Sequence, residues 1–275
     1  MSSGSRPTSE GLPYKGASVD LPGVRLWYLD SSGEGTPIVF LHANTGTSAI
    51  WEAQLSFFSE AGYRVIAPDR RGWGASVAVP ATGPQPGSVA EDLDALLTHL
   101  EIPAIHLVGA AGGTFSALDY AAWRPERVTT LVASVSTGMI VDDEIAGFIE
   151  RISVPGLRAP NPAVYREVSA GFRGSNPEAT RRWIEVESSA RQPNGEVALV
   201  RTPNSYAKLR LISAPVLVIA GGADMIAPPA MMRLWAAQLS DVEFVTIAEA
   251  GHALTYEEPS TFNAAVESFL RRRGD

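Results

Sequence analysis

Three segments of the chain carry residues that could do chemistry, and each one directly follows a short apolar run. Residues 109–113 read Gly-Ala-Ala-Gly-Gly and lead into a helix of small residues, while Asp224 follows a Gly-Gly pair and His252 follows Gly251. A tight, glycine-bounded turn between a strand and a helix is typical of a nucleophile elbow, G-x-S-x-G, and an acid and a histidine follow it in the order nucleophile, acid, base. The pattern predicts that Asp224 orients His252 as a general base.

The centre of this predicted elbow is Ala111. A methyl group cannot attack a carbonyl, so two explanations stay open. Either the chain carries a Ser→Ala replacement that disables a serine hydrolase, or the protein works without a covalent intermediate. In the second case His252 would deprotonate a water beside the methyl group, or would take a proton from the substrate itself, as a lyase or isomerase does.

The elements around these segments alternate between strand and helix, which predicts an α/β fold with a mostly parallel sheet flanked by helices. Ser88 with Glu91 three positions later forms a capping box, which predicts a helix over residues 88–100. Parallel sheets bind ligands at the carboxyl ends of their strands, so the three chemical segments should meet at one edge. The runs expected as strands are 24–29, 38–41, 65–67, 105–108, 128–135, 216–220 and 244–247.

Residues 137–206 break this alternation. They hold helical patterns, including 177–188 after an Asn176 N-cap, separated by turns rich in Pro, Gly and Asn. We therefore expect a helical cap over 137–206, inserted between core segments 16–136 and 207–275, and a mobile tail over residues 1–15.

The motifs resemble those of the α/β-hydrolase superfamily, and the resemblance covers nearly everything from about residue 20 to 272. Residues 41–44, Leu-His-Ala-Asn, are similar to its H-G-x segment at a strand end. Residues 69–76, Asp-Arg-Arg-Gly-Trp-Gly-Ala-Ser, resemble its D-x-R-G-x-G-x-S turn, and residues 124–128 resemble its R-P-E-R-V segment.

This resemblance implies that Asp224 and His252 are the acid and the base, with Ala111 at the nucleophile position. It also implies that the backbone N–H groups of Asn44 and Gly112 form an oxyanion hole. We further expect four large side chains to line a substrate pocket, although ordinary core packing would explain them as well. These four are Trp51, Trp73, Met139 and Trp183.

Composition excludes several classes of protein. Of the 275 residues, 45% are hydrophobic and 19% charged, which excludes a disordered chain. The absence of cysteine excludes disulfides, thiolate nucleophiles and Cys-ligated metal sites, and fits a cytoplasmic enzyme. A net charge of −8 argues against a nucleic-acid partner, and without a long apolar run we expect neither a membrane span nor a standard secretion signal.

The sequence therefore predicts a hydrolase that acts on a small carbonyl compound, such as an ester, a lactone or a 1,3-dicarbonyl, without cofactor or metal. A lyase or isomerase on the same fold and a ligand-binding protein without catalysis are the alternatives. A homodimer is left open.

Overall fold

The computed structural model describes residues 14–157, 161–193, 195, 197–198 and 200–274, and in this part of the chain nine strands form one sheet. The strands are β1 (Lys15–Leu21), β2 (Val24–Asp30), β3 (Pro37–Leu41), β4 (Arg64–Pro68), β5 (Val77–Ala78), β6 (Ile105–Ala110), β7 (Val128–Ser134), β8 (Val216–Gly221) and β9 (Val242–Ile247). Their order across the sheet is β1-β2-β4-β3-β6-β7-β8-β9, and β5 pairs with β2.

The sheet is mostly parallel, as predicted. Strands β3, β4 and β6 to β9 pair in parallel, while β1 to β2 and β2 to β4 pair antiparallel. Every residue of β6 and of β8 is buried, because helices cover both faces. The sequence did not predict β1, because its residues are mainly polar or half-exposed, nor the two-residue β5.

The described residues form eleven α-helices, and those of the core pack on both faces of the sheet. The eleven helices are α1 (Glu52–Glu60), α2 (Val89–His99), α3 (Gly112–Trp123), α4 (Asp143–Ile152), α5 (Val164–Glu167), α6 (Ala170–Ser175), α7 (Pro177–Ala190), α8 (Tyr206–Leu209), α9 (Pro229–Ala236), α10 (Leu254–Glu257) and α11 (Pro259–Arg273). Leu96 of α2, Leu118 of α3 and Trp235 of α9 belong to one hydrophobic cluster. Phe58 of α1 and Phe262 of α11 belong to the other.

The N-cap predicted at Ser88 is confirmed, and Glu91 pairs with the Ser88 side chain rather than with the Ser88 N–H as in a capping box. The Ser88 Oγ accepts a hydrogen bond from the Glu91 N–H at 3.1 Å and donates one to the Glu91 carboxylate at 2.9 Å. On the same helix, Asp92 pairs with the buried Arg71 at 2.6 Å and so ties α2 to the turn after β4. By contrast, Asn176 precedes α7 without a capping hydrogen bond from its side chain, and Pro177 occupies the first turn.

The segment between β7 and β8, called the insertion below, contains α4 to α8 and, among its described residues, no strand longer than a single bridge. Asn204 joins its two ends, because its backbone carbonyl accepts from the Val141 N–H at 2.8 Å and its side-chain amide donates to Gly138 O at 2.9 Å. Helix α8 crosses the boundary expected after residue 206. Of the tail expected over residues 1–15, positions 1–13 lie outside the described residues. Lys15 is the first residue of β1 and not part of a tail.

Candidate functional site

Ala111 forms a sharp turn between β6 and α3. Its backbone has φ +48° and ψ −112°, a conformation that costs a non-glycine residue about 1–3 kcal/mol. Two hydrogen bonds hold it there: its N–H donates to Ser134 O at 3.0 Å, and its carbonyl accepts from the Ser136 hydroxyl at 2.8 Å. The turn has the strand–turn–helix form of a nucleophile elbow, with a methyl group at its tip.

The two glycines after Ala111 let other backbone segments approach closely. A Cβ atom on Gly113 would lie 2.0 Å from Leu41 O, at the end of the neighbouring strand β3. A Cβ atom on Gly112 would lie 2.3 Å from the side-chain oxygen of Asn44. The start of α3 therefore packs directly against the loop after β3. Only glycine fits at position 113, where the close atom is a backbone oxygen, and a larger residue at position 112 would have to displace the Asn44 side chain.

His252 and Asp224 form a buried pair at the ends of neighbouring strands. The His252 Nδ1 lies 2.8 Å from an Asp224 carboxylate oxygen. The other carboxylate oxygen accepts from the N–H groups of Ile226 and Ala227 at 2.7 and 2.9 Å. Because the carboxylate is fixed at both oxygens, it orients the imidazole and favours a proton on Nδ1.

The surroundings of His252 favour its protonated form. Burial alone lowers the pKa of His252, but the charge and hydrogen bond of Asp224, together with the charge of Glu167, outweigh it and raise the pKa to about 9. His252 is therefore an imidazolium at neutral pH and can donate a proton as well as accept one.

The loop after β3 places Asn44 opposite the elbow. A turn joins Ala43 O to the Gly46 N–H at 3.2 Å and leaves the Asn44 N–H outside that bond. The Asn44 carbonyl accepts from the Trp73 indole at 2.8 Å, and its side-chain oxygen accepts from the Arg70 guanidinium at 2.9 Å. These two hydrogen bonds hold Asn44 in place. Its backbone lies beside the first N–H groups of α3, which have no partner within the helix.

These groups surround one cleft of about 210 Å³. Its walls contain the elbow residue Ala111, the two expected oxyanion donors and His252, so the structure brings together the residues predicted for the site. Asp224 lies behind His252. The residues that line the cleft are Ala43, Asn44, Thr45, Ala111, Gly112, Phe115, Ser136, Thr137, Arg166, Glu167, Ile226 and His252.

Comparison with known proteins identifies the family. A family profile described as "Alpha/beta hydrolase family" matches residues 38–265. The chain belongs to the alpha/beta hydrolase family. This confirms the predicted fold class and the prediction of an enzyme of the hydrolase type.

Individual relatives of this hydrolase match along almost their whole length. The putative carbamate hydrolase RutD of Variovorax paradoxus is 30% identical, over 87% of this chain and 93% of the relative. A thermophilic esterase from Thermogutta terrifontis superposes with a TM-score of 0.77 at 26% identity, over 93% of this chain and 98% of the other. Est816, described as an N-acyl homoserine lactone degrading enzyme, superposes with a TM-score of 0.73 at 29% identity, over 92% and 100%.

The four large side chains expected in the pocket lie elsewhere in this hydrolase. Trp51 is fully buried in the core between two phenylalanine rings, and Trp73 lies behind Asn44. Met139 is 49% exposed at the start of the insertion, and Trp183 packs in a small hydrophobic cluster in which residues of the insertion meet Ala253 of the core. Their size favoured a pocket role, but a large apolar side chain fills a core as readily as it lines a cleft.

Glu167, which the sequence analysis did not single out, is a carboxylate in the cleft. It is the last residue of α5, its side chain is 10% exposed, and the Thr45 hydroxyl donates to it at 3.3 Å. Burial raises the pKa of Glu167, while the charges of His252 and Arg166 act in the opposite direction. No motif marks this glutamate in the sequence, because folding of the insertion alone brings it to the cleft.

The described residues contain no group of three or more His, Cys, Asp or Glu side chains placed to hold a metal ion. A search of the same residues for a helix with the length and apolarity to cross a membrane found none.

Proposed function

We propose that this protein hydrolyses a small ester or lactone by direct attack of water, without a covalent intermediate. The observation that carries the proposal is the buried Asp224–His252 pair facing the same cleft as the elbow of Ala111 and the backbone of Asn44. A protein that only binds a ligand has no chemical use for an oriented, titratable imidazole.

In this mechanism a water occupies the place beside the Ala111 methyl group, where a serine hydroxyl would lie in a triad. The N–H groups of Asn44 and Gly112 stabilise the oxyanion that forms when the water attacks the carbonyl carbon. His252 is the proton-transfer group: its neutral form can take a proton from water, and its imidazolium form can give one to the leaving group. Asp224 fixes the tautomer and orientation that both steps need.

The similar proteins support this substrate class. RutD is named as a putative carbamate hydrolase, and the two superposed structures are described as an esterase and a lactone-degrading enzyme. Each name refers to a carboxylic or carbonic acid derivative with a carbonyl that water can attack. The cleft volume of about 210 Å³ limits the part of the substrate beside Ala111 to a small group.

We also propose that the insertion acts as a cap. Arg166 and Glu167 come from the insertion and line the cleft opposite residues of the core. A cap in this position would exclude bulk water from the reacting carbonyl and so strengthen the oxyanion interactions.

The test uses His252→Gln, which removes the titratable imidazole, with His99→Gln as the matched control because His99 is exposed on α2. Both variants and the parent are assayed on 4-nitrophenyl acetate, γ-butyrolactone and acetylacetone. We expect hydrolysis of the ester or the lactone, a loss of about 10²- to 10⁴-fold in turnover for His252→Gln, and no change for His99→Gln.

Hydrolysis that survives His252→Gln would contradict the mechanism. A parent protein that binds these compounds without turnover would instead favour a ligand-binding role. Turnover of acetylacetone alone would redirect the proposal to cleavage of carbon–carbon bonds.

A further inference from the structure

The insertion contributes a second titratable group to the cleft, the carboxylate of Glu167. Glu167 shares the cleft with His252 and Ala111, and its side chain is 10% exposed. The described groups that face it are the Thr45 hydroxyl at 3.3 Å, Arg166 at 3.8 Å, and the charges of His252 and Asp224. A buried carboxylate is costly unless it is paired. Thr45 and Arg166 supply that pairing, and they hold the Glu167 carboxylate in the wall of the cleft that His252 and Ala111 also line.

The backbone of Glu167 is fastened to the loop that carries His252. Its carbonyl accepts from the Ala253 N–H at 2.7 Å. A Cβ atom on Gly251 would lie 3.0 Å from the same carbonyl oxygen, so glycine before the histidine permits this contact. Residues on both sides of His252 therefore contact Glu167.

A second carboxylate, Glu257 at the end of α10, holds the insertion and the His252 loop together. It accepts hydrogen bonds from the Ser169 N–H at 3.2 Å and from the Gly251 N–H at 3.1 Å. Ser169 follows Glu167 in the insertion, and Gly251 precedes His252 in the core. Glu257 therefore joins the two segments and fixes the backbone beside Glu167 relative to the loop that carries His252.

We propose that Glu167 is the base that deprotonates the attacking water while protonated His252 is the acid that protonates the leaving group. The assignment rests on the proposed function, since it concerns hydrolysis in the same cleft. It makes Glu167 a catalytic residue, because its carboxylate would contact the water that reacts.

The steps balance without any further reactant. One water proton moves to Glu167 as the water oxygen bonds to the carbonyl carbon, and the oxyanion forms against the N–H groups of Asn44 and Gly112. The bond to the leaving group then breaks, and the leaving oxygen takes the proton of His252. Transfer of the proton from Glu167 to His252 restores both groups, so one ester and one water yield one acid and one alcohol.

The electrostatics of the cleft fit this division of labour. His252, with its pKa of about 9, holds a proton at neutral pH and begins the reaction as an acid. The attacking water then needs a different base, and Glu167 is the residue with a carboxylate among those that line the cleft. Burial raises the pKa of Glu167, while the charges of His252 and Arg166 favour its ionised form.

The first experiment measures the turnover of ethyl acetate by the parent protein as a function of pH, and it detects turnover by titrating the acid that is released. Because Glu167 must be ionised and His252 protonated, we expect a bell-shaped dependence of turnover on pH. The rise on the acid side should have a midpoint above the usual pKa range of a glutamate, and the fall on the alkaline side should have a midpoint near pH 9. If neutral His252 were the base, turnover would instead rise with pH to a plateau above about 9, and that profile would overturn the assignment.

The second experiment compares Glu167→Gln with Glu185→Gln, which removes an exposed carboxylate from α7 of the same insertion. We expect Glu167→Gln to lower kcat on ethyl acetate near pH 7 by about 10²- to 10⁴-fold and to replace the bell by a profile that rises with pH, as neutral His252 takes over. Glu185→Gln should keep the bell and the parent kcat. A purely structural role for Glu167 would leave the shape of the profile unchanged.

The outcomes separate the two proposals. Unchanged kcat and profile in Glu167→Gln, with turnover still lost in His252→Gln, would overturn the role of Glu167 and leave the dyad mechanism standing. No hydrolysis by the parent would overturn both. Should Glu167→Gln fail to fold, the parent's pH profile decides the assignment by itself.

Discussion

The buried Asp224–His252 pair should make the stability of the fold depend on pH between about 6.5 and 9. The folded-state pKa of His252 is raised from its ordinary 6.5 to about 9. The pair's contribution is therefore fully present below pH 6.5 and is lost as the pH rises through 9. At 1.36 kcal/mol per pKa unit, this difference corresponds to about 3 kcal/mol of unfolding free energy.

Asp224→Asn isolates this effect, because it removes the charge that raises the pKa and keeps the size of the side chain. Burial then acts on His252 with less opposition and lowers its pKa, so the variant should lose little stability over the same range. The unfolding free energies of the parent and of Asp224→Asn are measured in urea at pH 6, 7, 8 and 9. The difference between them should shrink by about 3 kcal/mol as the pH rises from 6 to 9.

Other histidines do not obscure this comparison. Burial lowers the pKa of His42 well below 6.5 and that of His106 to about 4. Both proteins carry these two residues unchanged, so their contribution to the pH dependence cancels in the difference. A difference between parent and Asp224→Asn that stays constant from pH 6 to 9 would refute the reasoning, since His252 would then carry no extra proton in the folded state.

Two further substitutions test the elbow and the oxyanion donors. Ala111→Ser adds a hydroxyl where the attacking water is proposed to lie, so turnover of 4-nitrophenyl acetate should stay flat or fall; a large gain with a covalent adduct on residue 111 in mass spectrometry would contradict direct attack by water. Gly112→Ala should lower turnover by about 10²- to 10³-fold, because its Cβ would lie 2.3 Å from the Asn44 side-chain oxygen and push away the residue whose backbone N–H is the proposed oxyanion donor. Gly171→Ala is the control, since a Cβ there meets no atom within 4 Å, and equal effects of the two glycine substitutions would refute the role of Asn44.

Much of the fold could be predicted because its signals are local. The apolar runs that became β6 and β8 are buried along their whole length, and such runs identify strands covered on both faces. Ser88 and Glu91 marked the start of α2 because a capping box needs just these residue types at this spacing. Strand β1 was missed because an edge strand needs backbone pairing more than apolar side chains.

The residues that could do chemistry at the strand ends, Ala111, Asp224 and His252, were recognisable from local pattern, because each follows a recognisable strand and turn. Their surroundings depend on how distant segments pack in the folded protein. That packing placed Trp51 in the core rather than in the cleft, and it brought Glu167 from the insertion to His252 through contacts with the backbone of residues 251–253. These contacts join positions more than 80 residues apart, as the Ser169–Glu257 hydrogen bonds show with a separation of 88, and no local pattern in the sequence records them.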